Sequence, residues 1–239
     1  MGRSFDRATL WRLAIKAKPV PFRGVCDPRT IGSFELGRAM CDGIFRTSGY
    51  QAKIRNDTLW TMRRQNAAVT QDLHSFLWLD HLAAVSDARA RFLAELWTTQ
   101  WIKKHAKGAG PGWSPAVTGR RVARWINHSD FLTAAARSTF QEDFLKALNT
   151  QVHSLARSWR KAPMGLARLE AVFGLVSALL VLEDMDIPLD PAMDGFVQTL
   201  TALVDDDGAV ESRNPEDLLH VLLMSSWALN DLAAANVTG

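Results

Sequence analysis

Residues 110–128, GPGWSPAVTGRRVARWINH, gather three arginines, two tryptophans, an asparagine and a histidine into nineteen positions. Their chemistries complement one another. Guanidinium forks bind carboxylates and sulfates, indole faces stack on the C–H faces of sugars, and an Asn-His pair polarises an acid group or moves a proton. Trp113, Arg120, Arg121, Arg124 and Trp125 are therefore the candidate ligand contacts, and Asn127 and His128 the candidate catalytic groups. In a helix Arg121, Trp125 and His128 fall at i, i+4 and i+7. Arg120, Arg124 and Asn127 repeat that spacing one position earlier, so two adjacent stripes make one broad face, with Val117, Val122 and Ile126 on the more apolar side. A packing role fits the same residues: the Arg and Trp side chains snorkel between helices and Asn127 closes the helix.

The element that must carry them starts after a Gly110-Pro111-Gly112 loop. Ser114 before Pro115 is a start signal, because the hydroxyl accepts from a free N–H while proline occupies a first-turn position that needs no donor. The helix is predicted from Pro115 to about His128. Six further runs, among them LHSFLWLDHLAAV, LARLEAVFGLVSALLVLE and PEDLLHVLLMSSWALNDLAAA, show apolar residues at three- and four-residue spacing. Pro163 with Gly165, Pro188 with Pro191, Asp205-Asp206-Asp207-Gly208 and Asn214-Pro215 separate them, with Asn214 a plausible cap. Seven helices with no strand signal between them read as antiparallel helical hairpins, a pattern that suits a toroid, a solenoid or a compact bundle. Residues 19–60 lack a sustained period and hold Pro19, Pro21 and Pro28, so they are expected to be mostly irregular with short extended pieces. Ahead of them LWRLAIKAKPVPF is too short and too charged for a membrane span; it suits an amphipathic helix resting on a membrane surface or on the rest of the protein. The chain thus divides into a basic N-terminal helix and irregular segment (1–60) and a helical domain (61–239).

Composition narrows the chemistry. At 239 residues, with 47% hydrophobic and 22% charged residues, the chain can bury a substantial core. A net charge of +3 permits an anionic partner without requiring one, although arginines cluster at the N-terminus, in residues 55–64 and in the opening stretch. Cys26 and Cys41 form neither a metal pattern nor a disulfide framework. His74, Trp78 and His81 share a helix face beside Asp72 and Asp80, but two histidines seven apart are poorly placed to chelate one ion, so no metal is expected. The triple aspartate lacks the alternating ligand spacing of a calcium loop and reads as a polar turn. No zincin, Walker, dinucleotide or nucleophile-elbow motif occurs, and no cofactor is expected. Without a small-residue cleavage site after a long apolar run, a cytoplasmic or membrane-associated location is favoured over a periplasmic one, and the Asn127-His128-Ser129 and Asn236-Val237-Thr238 sequons carry no weight.

The combination of ELWTTQWIKKH, GPGWSPAVTGRRVARWINH, SWRKAPMGLARLEAVFGL and SRNPEDLL resembles the helical part of bacterial heparinase II/III-like proteins. These are polysaccharide lyases with an N-terminal α/α toroid and a C-terminal β-sandwich. The resemblance runs from about residue 25 to the end and is strongest between Trp97 and Asn127. It implies an all-α fold, an incomplete (α/α) toroid of antiparallel hairpins with an irregular N-terminal segment. It also implies an acidic, uronate-containing polysaccharide, with or without sulfate, as partner, rather than nucleic acid, and β-elimination as the reaction. Trp113 and Trp125 would then be sugar platforms, Arg120, Arg121 and Arg124 would hold carboxylate or sulfate, and Asn127 and His128 would neutralise the uronate or transfer its proton. Two positions depart from the family pattern. The only tyrosine is Tyr50, well upstream of the expected base, and Met164, Gly165 and Leu166 stand where an asparagine and a histidine are expected. The family's β-sandwich is not among these residues and is expected as a completing partner domain. The alternatives are a noncatalytic module for anionic glycans and a purely structural helical scaffold.

Overall fold

The computed structural model describes residues 16–24, 26, 28–47, 49–56, 58–62, 66–108, 110–134 and 136–235. Its helices are α1 (Phe34–Cys41), α2 (Ala67–His74), α3 (Leu77–Val85), α4 (Ala88–His105), α5 (Pro115–Asn127), α6 (Ser129–Thr133), α7 (Ser138–Ser158), α8 (Leu166–Val181), α9 (Asp190–Leu203) and α10 (Pro215–Ala234). Strands β1 (Ile44–Thr47) and β2 (Tyr50–Lys53) pair antiparallel, Ile44 opposite Lys53 and Thr47 opposite Tyr50. Local chemistry sets several boundaries. Asn66, Asp87 and Asn214 cap α2, α4 and α10 by accepting from backbone N–H groups of the first turn. Ser114 makes no side-chain cap bond, so α5 begins on the proline alone.

Two sequence expectations change. LHSFLWLDHLAAV is not one helix: Phe76 sits at φ 63 between α2 and α3, a conformation costly for an aromatic residue. Burial of its ring against Trp78, Trp101 and Trp125 offsets that cost. Residues 19–60 are also more regular than expected, since they include α1 and the hairpin. Ser33 caps α1, and Met40, Phe45, Leu59 and Trp60 join the same buried cluster as the helices. Most of the predicted amphipathic helix at the start lies outside the described residues, as does the Asn236-Val237-Thr238 sequon. Among the described residues no helix is long and apolar enough to cross a membrane.

The antiparallel hairpins gather around α8, which is buried almost from Leu169 to Leu180 and packs against α5, α7, α9 and α10. Its closest neighbour is α5, and two glycines make that possible. A Cβ at Gly119 would fall 2.2 Å from the Glu170 carbonyl oxygen, and one at Gly174 would fall 2.4 Å from the Gly119 oxygen. The two backbones are therefore in contact, which brings Arg120 alongside Glu170. Upstream, Arg23 N–H donates to the Val181 carbonyl and Glu183 N–H to that of Pro21, fastening the N-terminal segment to the end of α8.

Candidate functional site

Successive residues on an α-helix point about 100° apart, and on α5 that rotation separates the two stripes. Arg121 and Trp125 turn inward and are wholly buried. Arg121 donates to Gln151 Oε1 at 2.5 Å and to the carbonyls of His74 and Gly112 at 2.7 Å each, and its guanidinium lies over Trp101, 4.3 Å from the ring centre. Burial lowers its pKa to about 9. Trp125 stacks on Phe144, their ring centres 4.8 Å apart. Neither is within reach of a ligand, which corrects their assignment to the binding face. Trp113 is half-buried, donates to the His105 carbonyl and stacks on Trp101, and it does not line the cleft described next.

The other stripe faces a cleft of about 390 Å³ between α5, α8 and α10. Arg120, Arg124 and Asn127 line it together with Glu170, Phe173, His220 and Trp227. Arg124 is already committed: its Nε donates to Asp80 Oδ2 at 2.8 Å and its Nη1 to the Ser75 carbonyl at 3.1 Å. The other Asp80 oxygen accepts from Thr30 Oγ1 and lies 2.8 Å from His128 Nε2. Burial would raise the Asp80 pKa, but the Arg124 charge and the His128 contact outweigh it and bring the pKa down to about 2. His128, predicted as a proton-transfer group, is buried under Thr30 with its Nε2 engaged by Asp80.

Arg120 is less committed. Its Nη1 is 3.7 Å from Glu170 Oε1, its Nη2 makes a long 3.4 Å contact with Gln71, and its buried Nε has no hydrogen-bond partner among the described residues. Burial raises the Glu170 pKa, and the neighbouring Arg120 partly counters this. Asn127 is uncommitted. It is 8% exposed, its side-chain amide bonds to none of the described residues, and it lines three separate cavities. Its amide N and O are not sealed from solvent, so the oxygens of a ligand in these cavities can reach them.

Sequence reasoning missed Glu170, His220 and the linking role of Asp80. The one signal for Glu170 was a lone carboxylate on a mostly apolar helix; Asp80 lies 48 residues from His128 and no spacing connects them. Tyr50 belongs to β2 and does not line the cleft. Among the described residues no three His, Cys, Asp or Glu side chains are grouped to hold a metal ion.

Comparison with solved structures decides the architecture. Heparan sulfate lyase HepC from Pedobacter heparinus superposes with a TM-score of 0.66 over 97% of this chain and 39% of HepC, at 18% identity. A mutant of the same lyase gives 0.63 at 19% identity. The fold is that of the heparinase helical toroid. In sequence, the toroid is 31% identical over 160 residues to FtsZ-localized protein C of Caulobacter vibrioides, covering 66% of this chain and 27% of that protein. No family model matches it. The toroid therefore spans well under half the length of each protein it resembles.

Proposed function

We propose that the cleft between α5, α8 and α10 binds an acidic polysaccharide, and that the chain is the toroid part of a lyase acting on it by β-elimination beside a uronate. The observation that carries this reading is Asn127, a cleft-lining amide with no bond to the described residues, beside the Arg120 guanidinium, whose contacts to Glu170 and Gln71 are long. An amide and a guanidinium together suit a carboxylate, while Phe173 and Trp227 offer apolar wall to the sugar ring. Neutralising the carboxylate acidifies the C5 proton. Its removal as the C4–O bond breaks leaves a C4=C5 double bond, and the departing oxygen takes up a proton. Because Asp80 and Thr30 occupy His128, the imidazole with an open path to the cleft is His220. His128 acts through Asp80, holding Arg124 in place.

A second reading, binding without chemistry, is favoured by Tyr50 lying in the hairpin and by Arg124 and His128 both being held by Asp80. It also fits the Caulobacter relative, whose name states a localisation rather than a reaction. Calorimetry with heparan sulfate and alginate oligosaccharides, read alongside the ultraviolet absorbance of unsaturated product, separates the two. Arg120→Ala or Asn127→Ala is expected to weaken binding about tenfold, the worth of one charge-assisted contact, whereas Glu170→Gln frees Arg120 and tightens it. Product formation supports the lyase, and binding without product supports the second reading. Binding indifferent to Arg120 and Asn127 removes the cleft from both.

A further inference from the structure

Residues 28–33 lie across the cleft as a strap held by polar contacts. Arg29 donates to the Trp227 carbonyl at 3.1 Å and pairs with Asp231, Thr30 Oγ1 donates to Asp80 Oδ1 at 2.8 Å, and Ser33 N–H donates to His81 Nδ1 at 3.0 Å. Gly32 rests directly on α3, where a Cβ would fall 1.9 Å from the Asp80 carbonyl oxygen. None of the side chains from Pro28 to Ser33 is buried, and Ile31 is fully exposed. A segment with no apolar anchor opens at far lower cost than the helices beneath it.

The strap has a cavity on each side. One is the cleft; the other, of about 540 Å³, lies between the strap, α3 and α6 and is lined by Ala84, Ser86, Arg91, His128, Asp130 and Phe131, among others. Thr30, Ile31 and the unpartnered Asn127 line both. We infer that the two cavities are halves of one groove crossed by the strap, and that the second is a subsite for neighbouring units of the linear acidic polysaccharide whose carboxylate sits at Arg120 and Asn127. This rests on the cleft reading above and extends it from one sugar to the interior of a chain. Arg91 supplies the second cavity's cation, placed 4.9 Å over the Phe131 ring and bonded to Ser86 Oγ, while Asp130 on the same wall accepts from hydroxyls. Each cavity is of the size that holds a small organic ligand, and a chain that occupies both does so with the strap's contacts to Asp80 and His81 opened.

The test is calorimetric titration of a heparan sulfate-derived disaccharide and octasaccharide into the wild type, Ala84→Trp and Ala134→Trp. Both alanines are exposed on the wall of the second cavity, so an indole there fills it without disturbing the core. The octasaccharide is expected to bind the wild type about tenfold or more tighter than the disaccharide. In either variant that advantage disappears, while disaccharide affinity and melting temperature stay unchanged. Equal affinity for the two lengths in the wild type, or a length advantage that survives both substitutions, overturns the second subsite and leaves the cleft reading standing. If neither oligosaccharide binds the wild type, the cleft reading fails and the subsite with it.

Discussion

Replacing Arg121 by methionine, which has a similar reach, tests whether α5 is held by its buried fork. The substitution strips the donor from three oxygens: Gln151 Oε1, the His74 carbonyl and the Gly112 carbonyl. Each oxygen left unsatisfied in the core costs about 1–3 kcal/mol. The cation over Trp101 and Trp113 contributes about another 1 kcal/mol. Against this stands the relief of no longer burying a charge, which for ion pairs can make an apolar replacement neutral or better. Two features limit that relief here. A guanidinium is weakly hydrated to begin with, and methionine satisfies none of the three oxygens. The loss therefore wins, by about 3 kcal/mol. For a chain of this length that corresponds to a fall in melting temperature of about 6–12 °C. Urea unfolding followed by far-ultraviolet circular dichroism, with a parallel thermal scan, measures both. A variant within about 0.5 kcal/mol of the wild type would show that the carbonyls are readily satisfied without Arg121 and would refute the argument.

Gly119→Ala sets a helix-propensity gain of about 1 kcal/mol against a methyl group pressed onto the α8 backbone. Because the obstructing atoms are backbone, the helices must separate, and a net loss of about 2 kcal/mol is expected in the same urea assay; a variant as stable as the wild type would mean that α5 and α8 do not touch there. For Asp80, the folded pKa of about 2 lies below its ordinary value of 3.8. The corresponding stability, about 2 kcal/mol, is present above about pH 4 and lost as pH falls through about 2, so Asp80→Asn should flatten the acid limb of a stability–pH curve in that window. Parallel acid limbs for the two proteins would contradict it.

The helices were legible in the sequence because their apolar spacing is long and punctuated, and the toroid because segments such as ELWTTQWIKKH and SRNPEDLL resemble a known family. On α5 the spacing grouped Arg120, Arg124 and Asn127 correctly. It could not say that the neighbouring stripe of Arg121 and Trp125 was the buried one, because arginine and tryptophan suit core edges and surfaces alike. A periodic pattern tells which residues share a face, and only contrast in polarity tells which face is inside. The break at Phe76 was hidden for a different reason: an aromatic core, not a local breaker residue, holds it in the left-handed region. The strap and the link from Asp80 to His128 depend on contacts 48 or more residues apart, which leave no trace in local spacing.

The buried and exposed stripes of α5 depend on each other. Rotating the helix by one residue would swing Arg120 toward the core and Arg121 toward the cleft, and by residue type alone either orientation offers an arginine to each side. What distinguishes them is the set of three acceptors waiting for Arg121, one each from the end of α2, the loop before α5 and α7, together with the two indoles around it. No such set surrounds Arg120, whose polar partners among the described residues are Glu170 and Gln71. Gly119 then fixes how deeply α5 sits against α8, and hence how close the Arg120 guanidinium comes to Glu170. The core contact one residue away thus decides that the loosely held Arg120 guanidinium and the Asn127 amide open into the same cleft, and a substitution at Arg121 should disturb binding only through the orientation and stability of this helix.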